Sequence, residues 1–285
     1  MSGGVKKLVS AARPETESGL QYHIQCKPGD VAPYVLLPGD PDRSERIAKL
    51  WDEWRFVARH REYVTYTGKY KGAPISVTST GIGSPAAAIA VEELLRVGAH
   101  TFIRVGTTGA IQPDIKVGDV IITTASVRME GTSKQYVRVE YPAVASYEVV
   151  MALVEAAERL GVRYHVGITA TTDSFYTGQA RPGYGGYKQS WMDTLIPDLR
   201  AARVLNFEME SAAILTLSNI YGARAGCVCA VLANRITDEF AVGAGIENAI
   251  RVANEAVSIL YEWDRLKEKS GKRFFYPDLM EKTGQ

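Results

Sequence analysis

Four short clusters in this 285-residue chain hold side chains suited to an anion, a diol and a flat polar ring. In Pro38-Gly39-Asp40-Pro41-Asp42-Arg43 an apolar run ends in a glycine turn, and an arginine stands where the next helical pattern starts. Glycine lets backbone N–H groups approach a phosphate, a helix start adds positive potential, and the guanidinium offers a bidentate fork. The same six residues also read as an ordinary Gly-Pro turn with a solvated arginine. In Arg104-Val-Gly106-Thr107-Thr108-Gly109-Ala110 an arginine sits inside an apolar strand. A charge there needs an anionic partner, either a structural carboxylate or a bound oxyanion. The Gly-Thr-Thr-Gly stretch, read as a hydroxyl-bearing turn, favours the oxyanion.

The third cluster, Asn206-Phe-Glu208-Met209-Glu210-Ser211, sets two carboxylates one residue apart just before a helical pattern. Each carboxylate accepts two hydrogen bonds, which suits a vicinal sugar diol, with Met209 packed on the ribose face. A helix start dressed with acids for its dipole has the same look. In Asp173-Ser-Phe175-Tyr-Thr-Gly-Gln179-Ala-Arg181, Phe175 can stack on a flat ring while Gln179 and Arg181 read its edge. The other reading is a polar loop with one core phenylalanine.

Positioning these clusters requires strands that stop beside helices. β-Branched runs at Tyr34–Gly39, Ile75–Gly81, Thr101–Gly106, Val120–Thr124, Tyr164–Ala170 and Ala225–Leu232 predict buried strands. Helical periodicity covers Ser44–Trp51, Pro85–Val97, Tyr147–Leu160, Glu210–Ile220 and Ile246 to about Lys267. Alternating strands and helices predict an α/β fold, a three-layer αβα sandwich around a mixed, largely parallel sheet. Ligands in such folds gather beyond the carboxyl ends of the strands, where the clusters lie. The stretch from Arg181 through Pro197, rich in Gly, Pro and Tyr, predicts a surface loop or insertion near the pocket. With no linker-like gap, one domain is expected over residues 20–267, with an amino-terminal extension 1–19 and a carboxyl-terminal tail 268–285.

Composition narrows the function classes. Hydrophobic residues make up 46%, charged residues 23%, and 33 Lys plus Arg against 32 Asp plus Glu leave a net charge of +1. That balance predicts a packed globular protein with no electrostatic case for nucleic acid or membrane, so an anion must be bound locally. Three cysteines, Cys26, Cys227 and Cys229, are too few for a disulfide framework and read as core thiols. No metal-ligand spacing, signal-peptide core or run of about 18 apolar residues is present, so no metal and a cytoplasmic location are expected. The absence of G-x-x-x-x-G-K-[ST] and G-x-G-x-x-G argues against a P-loop NTPase or a dinucleotide enzyme.

Oxyanion, diol and ring binders together describe a phosphate and a nucleoside. Six motifs carry a resemblance to the hexameric nucleoside phosphorylase family. They are Pro38–Arg43, His60-Arg61-Glu62, Ser79-Thr-Gly-Ile-Gly83, Arg104–Pro113, Phe175–Arg181 and Glu208-Met-Glu210, within a match from His23 to Leu260. The Gln179/Arg181 pair is similar to the uridine branch. The resemblance implies that Gly39, Arg43, Arg104 and Thr107 bind phosphate and that Arg61 reaches it from a neighbouring subunit. Met209, Glu210 and a neighbour's His23, with Glu208 beside them, would hold ribose, and Phe175, Gln179 and Arg181 uracil. Arg104, Thr107, Glu210 and Arg235 are the expected catalytic residues, Arg235 by neutralising the uracil anion.

The implied reaction is reversible phosphorolysis of uridine to uracil and ribose 1-phosphate, with no cofactor and with inorganic phosphate as a substrate. The expected assembly is a homohexamer of dimers with shared sites. In the purine branch an aspartate follows the late strand, where this chain has Asn234-Arg235. The alternatives are a purine nucleoside phosphorylase, a methylthioadenosine nucleosidase-like hydrolase and a non-catalytic nucleoside-binding protein. The family can bind a monovalent cation at the dimer interface through a glutamate resembling Glu62 and a serine, where this chain has Ala86.

Overall fold

A computed structural model of the chain describes residues 8–283. In chain order the first half contains β1 (Tyr34–Pro38), α1 (Pro41–Ala48), β2 (Glu53–His60), β3 (Tyr63–Tyr70), β4 (Ala73–Thr78), α2 (Ser84–Arg96), β5 (Thr101–Ala110), β6 (Val120–Arg128) and α3 (Thr132–Tyr136). The second half contains β7 (Ala143–Val144), α4 (Tyr147–Leu160), β8 (Tyr164–Thr171), α5 (Trp191–Ala201), β9 (Val204–Glu208) and α6 (Ser211–Ile220). It closes with β10 (Arg224–Asn234), β11 (Glu239–Phe240), α7 (Ile246–Ser270) and α8 (Asp278–Thr283). All eleven strands join one mixed sheet covered on both faces by helices.

Strand alternation decides which side chains reach which layer. Along β1, Tyr34 and Leu36 face the layer of α1, α4 and α7, whereas Val35 and Leu37 face α2 and α6. Along β5, Ile103 and Val105 take the first face and Phe102 the second. Arg104, two residues after Phe102, therefore projects toward α2 and α6, whose amino termini supply the other polar groups of the site.

Three features depart from the expectations. Pairing is more antiparallel than alternation suggests: β2, β3 and β4 form an antiparallel meander, and β5–β9 and β6–β10 are antiparallel contacts. The Gly-Thr-Thr-Gly stretch is not a turn. It continues β5 to Ala110, because Gly106–Ala110 pair with β10, across a register shift between Val231 and Ala233, and with the end of β9. The expected loop from Arg181 contains α5, with Pro197 inside it; Met192 is buried, and Leu195, Ile196 and Leu199 pack on Ile111, Ala170 and Phe207.

The ends of the chain are partly tied down. Of the amino-terminal extension, residues 1–7 lie outside the described structure, and Glu15 bridges Gln21. In the tail, Phe275 stacks on Trp263 with ring centroids 3.9 Å apart and planes 9° from parallel, and Leu279 is buried. A cleft of about 990 Å³ opens nearby, at the amino ends of β1 and β10. Its inner charges neutralise one another: Arg224 and Lys267 each pair with both Glu148 and Asp264.

Candidate active site

At the opposite, carboxyl ends of β1, β5 and β10 lies a cavity of about 680 Å³, and all four sequence clusters meet there. The first supplies Gly39 and Arg43. Asp40 caps α1 by accepting from the Asp42 N–H, which starts the helix at Pro41 and brings Arg43 into its first turn. Arg43 is buried and donates from Nη1 to the Val105 carbonyl at 3.1 Å, while its Nε–H has no partner among the described residues. Burial lowers its pKa, and Arg104 adds to the shift. Gly39 is required by close approach, since a Cβ there would stand 3.0 Å from the Gly81 carbonyl oxygen.

Arg104 is the centre of the site. Its Nε–H donates to Glu208 Oε2 at 2.8 Å, its Nη2 pairs with Glu210, and its buried Nη1 has no hydrogen-bond partner among the described residues. Burial opposes its charge, but Glu210 and Glu208 more than reverse this and hold its pKa above the ordinary value. The guanidinium folds back over Gly106, where a Cβ would meet Nη2 at 2.7 Å and Cys229 Sγ at 2.8 Å. Thr107 lines the cavity. Thr108 donates to the Phe207 carbonyl and so serves the sheet.

The two carboxylates of the third cluster have different surroundings. Glu210 Oε1 accepts from the Gly83 N–H at 2.6 Å, at the start of α2, while Oε2 faces Arg104. Its pKa is raised by burial, against the pull of Arg104 and with Glu208 adding to the rise. Glu208 has a fully buried side chain that accepts five hydrogen bonds. The donors are Arg104 Nε, the hydroxyls of Thr171 and Ser211, and the backbone N–H groups of Glu210 and Ser211. Burial acts to raise its pKa, and these donors bring it below the ordinary carboxylate value. Glu208 lines the cavity, with its acceptor sites taken up by these donors of the protein. Met209 lines the cavity, its carbonyl fixed by the Ser84 hydroxyl.

Around the base-reading cluster, Arg181 lies over the Phe175 ring, 4.0 Å from its centroid, and donates from Nη1 to the Gln179 side-chain oxygen at 2.6 Å. Ala180, at φ 56°, turns the chain so that the residues on either side of it come together. Burial and the nearby Arg235 charge lower the Arg181 pKa to about 10. Arg235 is absent from the cavity wall and donates to the Gln179 carbonyl at 2.8 Å. Through that bond Arg235 holds the backbone of the base-reading cluster, and its charge lies close enough to Arg181 to act on it. Asn234 donates to the carbonyls of Gln112 and Ile115 and accepts from the N–H groups of Ile236 and Thr237. An aspartate there would lose both donated bonds.

Two further expected residues, besides Arg235, are not among those lining this cavity. His23 Nδ1 bonds Glu93 at 2.7 Å, and its carbonyl bonds His60 Nδ1 at 2.9 Å. Arg61 is exposed at the β2–β3 turn, next to His60. The two therefore share one surface, beside exposed Tyr22. Residues to which the sequence reading gave no role are Thr171, Ser211 and Gly83, which orient the carboxylates, and Phe240 on β11, which lines the cavity. Only the glycine before Ser84-Pro85, which marks a helix start, carries a signal that could have found one of them.

The mixed α/β sheet thus carries at its strand ends an arginine-lined cavity suited to an anion beside a flat polar ring. Residues 33–262 match the Phosphorylase superfamily, and the chain belongs to that family. It is 68% identical over 275 residues to a uridine phosphorylase of Thermococcus kodakarensis, covering 96% of this chain and 99% of the relative. It is 45% identical over 244 residues to the uridine phosphorylase of Escherichia coli K12, covering 85% and 95%. A guanosine phosphorylase of Halorubrum lacusprofundi is 41% identical over 251 residues, covering 84% and 99%.

Proposed function

We propose that the protein catalyses reversible phosphorolysis of uridine, giving uracil and ribose 1-phosphate, in pyrimidine salvage. The observation that carries this is the meeting, in one cavity, of unpartnered N–H groups on buried Arg43 and Arg104 with the Phe175–Gln179–Arg181 cluster. Arg43, Arg104 and Thr107, with the Gly39 backbone, bind phosphate beneath the sugar. Glu210 and the Met209 backbone hold the ribose hydroxyls. The Gln179 amide faces the imide edge of uracil, Arg181 a ring carbonyl and Phe175 the ring.

As the glycosidic bond stretches, positive charge grows on the ribose and negative charge on the uracil. The phosphate dianion stabilises the first and captures it, and Arg181 stabilises the second. The route needs no cofactor, since phosphate is itself a substrate. His23 and Arg61, together on one surface but off their own cavity, complete the site of a neighbouring subunit, in a homohexamer built from such dimers. Three buried free thiols suit a reducing cytoplasm.

The base cluster and the amide-locked Asn234 favour uracil over the purine acted on by the guanosine phosphorylase relative. The test is uridine consumption with and without inorganic phosphate, with guanosine and inosine alongside. Cleavage of uridine only when phosphate is present is the expected result. Cleavage without phosphate indicates a hydrolase, and faster cleavage of the purine nucleosides indicates the other branch.

A further inference from the structure

We infer that Glu208 is a positioning residue that aligns Arg104 for the anion and fixes the start of α6 for Glu210, without touching substrate. The inference rests on the phosphorolysis reading. The neighbouring strand ends explain it. β9 stops at Glu208 and α6 begins at Ser211, so the chain turns through Met209 and Glu210. Both backbone N–H groups that open α6, those of Glu210 and Ser211, close on Glu208 Oε2 at 2.8 Å. The same oxygen takes the Arg104 Nε–H at 2.8 Å. One carboxylate oxygen thus ties β5 to α6, between Arg104 and Glu210, both of which line the cavity. With Nε held by Glu208 and Nη2 by Glu210, Nη1 is left as the open donor of Arg104.

The other oxygen takes the hydroxyls of Thr171 and Ser211. Hydroxyls rotate and also accept, whereas a guanidinium and two amide N–H groups cannot. Glutamine at this position can therefore keep its oxygen toward Arg104 and the α6 start and turn its amide nitrogen toward the hydroxyls. Alanine at the position loses all five contacts.

The experiment measures KM for phosphate and for uridine, and the preference for uridine over 2′-deoxyuridine, in Glu208→Ala and Glu208→Gln. Wild-type enzyme is first shown to require phosphate, so failure of the functional reading is seen separately. The expected result is a tenfold or larger rise in phosphate KM in Glu208→Ala, partial recovery in Glu208→Gln, and an unchanged uridine-to-deoxyuridine preference in Glu208→Gln, which keeps the α6 start and with it Glu210 in place. An unchanged phosphate KM in Glu208→Ala, or loss of that preference in Glu208→Gln, would assign Glu208 to the ribose and overturn the inference. If Glu208→Ala does not fold, a double-mutant cycle of Glu208→Gln with Arg104→Lys decides. Non-additive effects on phosphate KM support positioning through Arg104, and additive effects contradict it.

Discussion

Replacing Arg104 with methionine keeps much of the side-chain volume and removes the charge that two buried carboxylates share. Breaking a buried ion pair from one side costs about 3–5 kcal/mol, because the remaining charge stays desolvated. At roughly 2–4 °C per kcal/mol for a chain of this size, Tm should fall by roughly 6–20 °C. Phosphate loses the Nη1 donor as well. A charge-assisted hydrogen bond contributes about 1.5–3 kcal/mol, which corresponds to a roughly 10- to 150-fold loss in kcat/KM for phosphate. Glu210, already raised in pKa by burial and deprived of its cation, is driven further toward its neutral form. Initial rates over a phosphate series, on protein shown to be folded by circular dichroism at the assay temperature, give the numbers. A folded variant with wild-type phosphate kinetics would refute the assignment of Arg104 to the anion, whatever its thermal stability.

Other consequences are open to measurement. Wild-type enzyme should prefer uridine over inosine by on the order of 10²-fold or more, because a purine does not match the hydrogen-bonding edge that Gln179 and Arg181 offer to uracil; hypoxanthine release at a comparable rate would contradict the base assignment. Arg61→Ala and Glu210→Ala, each nearly inactive, should recover about a quarter of wild-type activity when co-refolded, since random pairing makes half the dimers mixed, with one intact site in two. No recovery after demonstrated mixing would place the site within one chain. Asp264, held to about pKa 2 by Arg224 and Lys267 against the opposing effect of burial, contributes on the order of 2 kcal/mol that is present above about pH 4 and lost as the pH falls through 2. The stability difference between wild type and Asp264→Asn should shrink over that window, and a difference that stays constant would dismiss the linkage. Phe275→Ala should cost about 3–5 kcal/mol by emptying the stack on Trp263, with kinetics unaltered.

Much of the fold was legible because buried strands and amphipathic helices have a period that composition preserves. The hairpin of β2 and β3 escaped notice because β2 is largely exposed, with Trp54 and Phe56 outward and charges between them, so no apolar run marks it. α5 was hidden by its internal Pro197 and the glycines before it, yet its apolar side chains still find the cluster behind β9. Within the site, residue types at the strand ends were readable, but roles were not. Glu208 and Glu210 are alike in sequence and both line the cavity, and only the turn between β9 and α6 gives Glu208 five donors of the protein while Glu210 takes the Gly83 N–H and faces Arg104. Arg235 likewise has the right charge for an anionic ring, and its bond to the Gln179 carbonyl is seen only in the structure.

The origin of the oxygen on ribose C1 tests the central claim most directly. With uridine, unlabelled phosphate and ¹⁸O-enriched water, phosphorolysis predicts ribose 1-phosphate equal in amount to the uracil released, with no label at C1. Free ribose carrying ¹⁸O at C1 would show that water, not phosphate, attacks, and would contradict the assignment of Arg43 and Arg104 to a phosphate nucleophile.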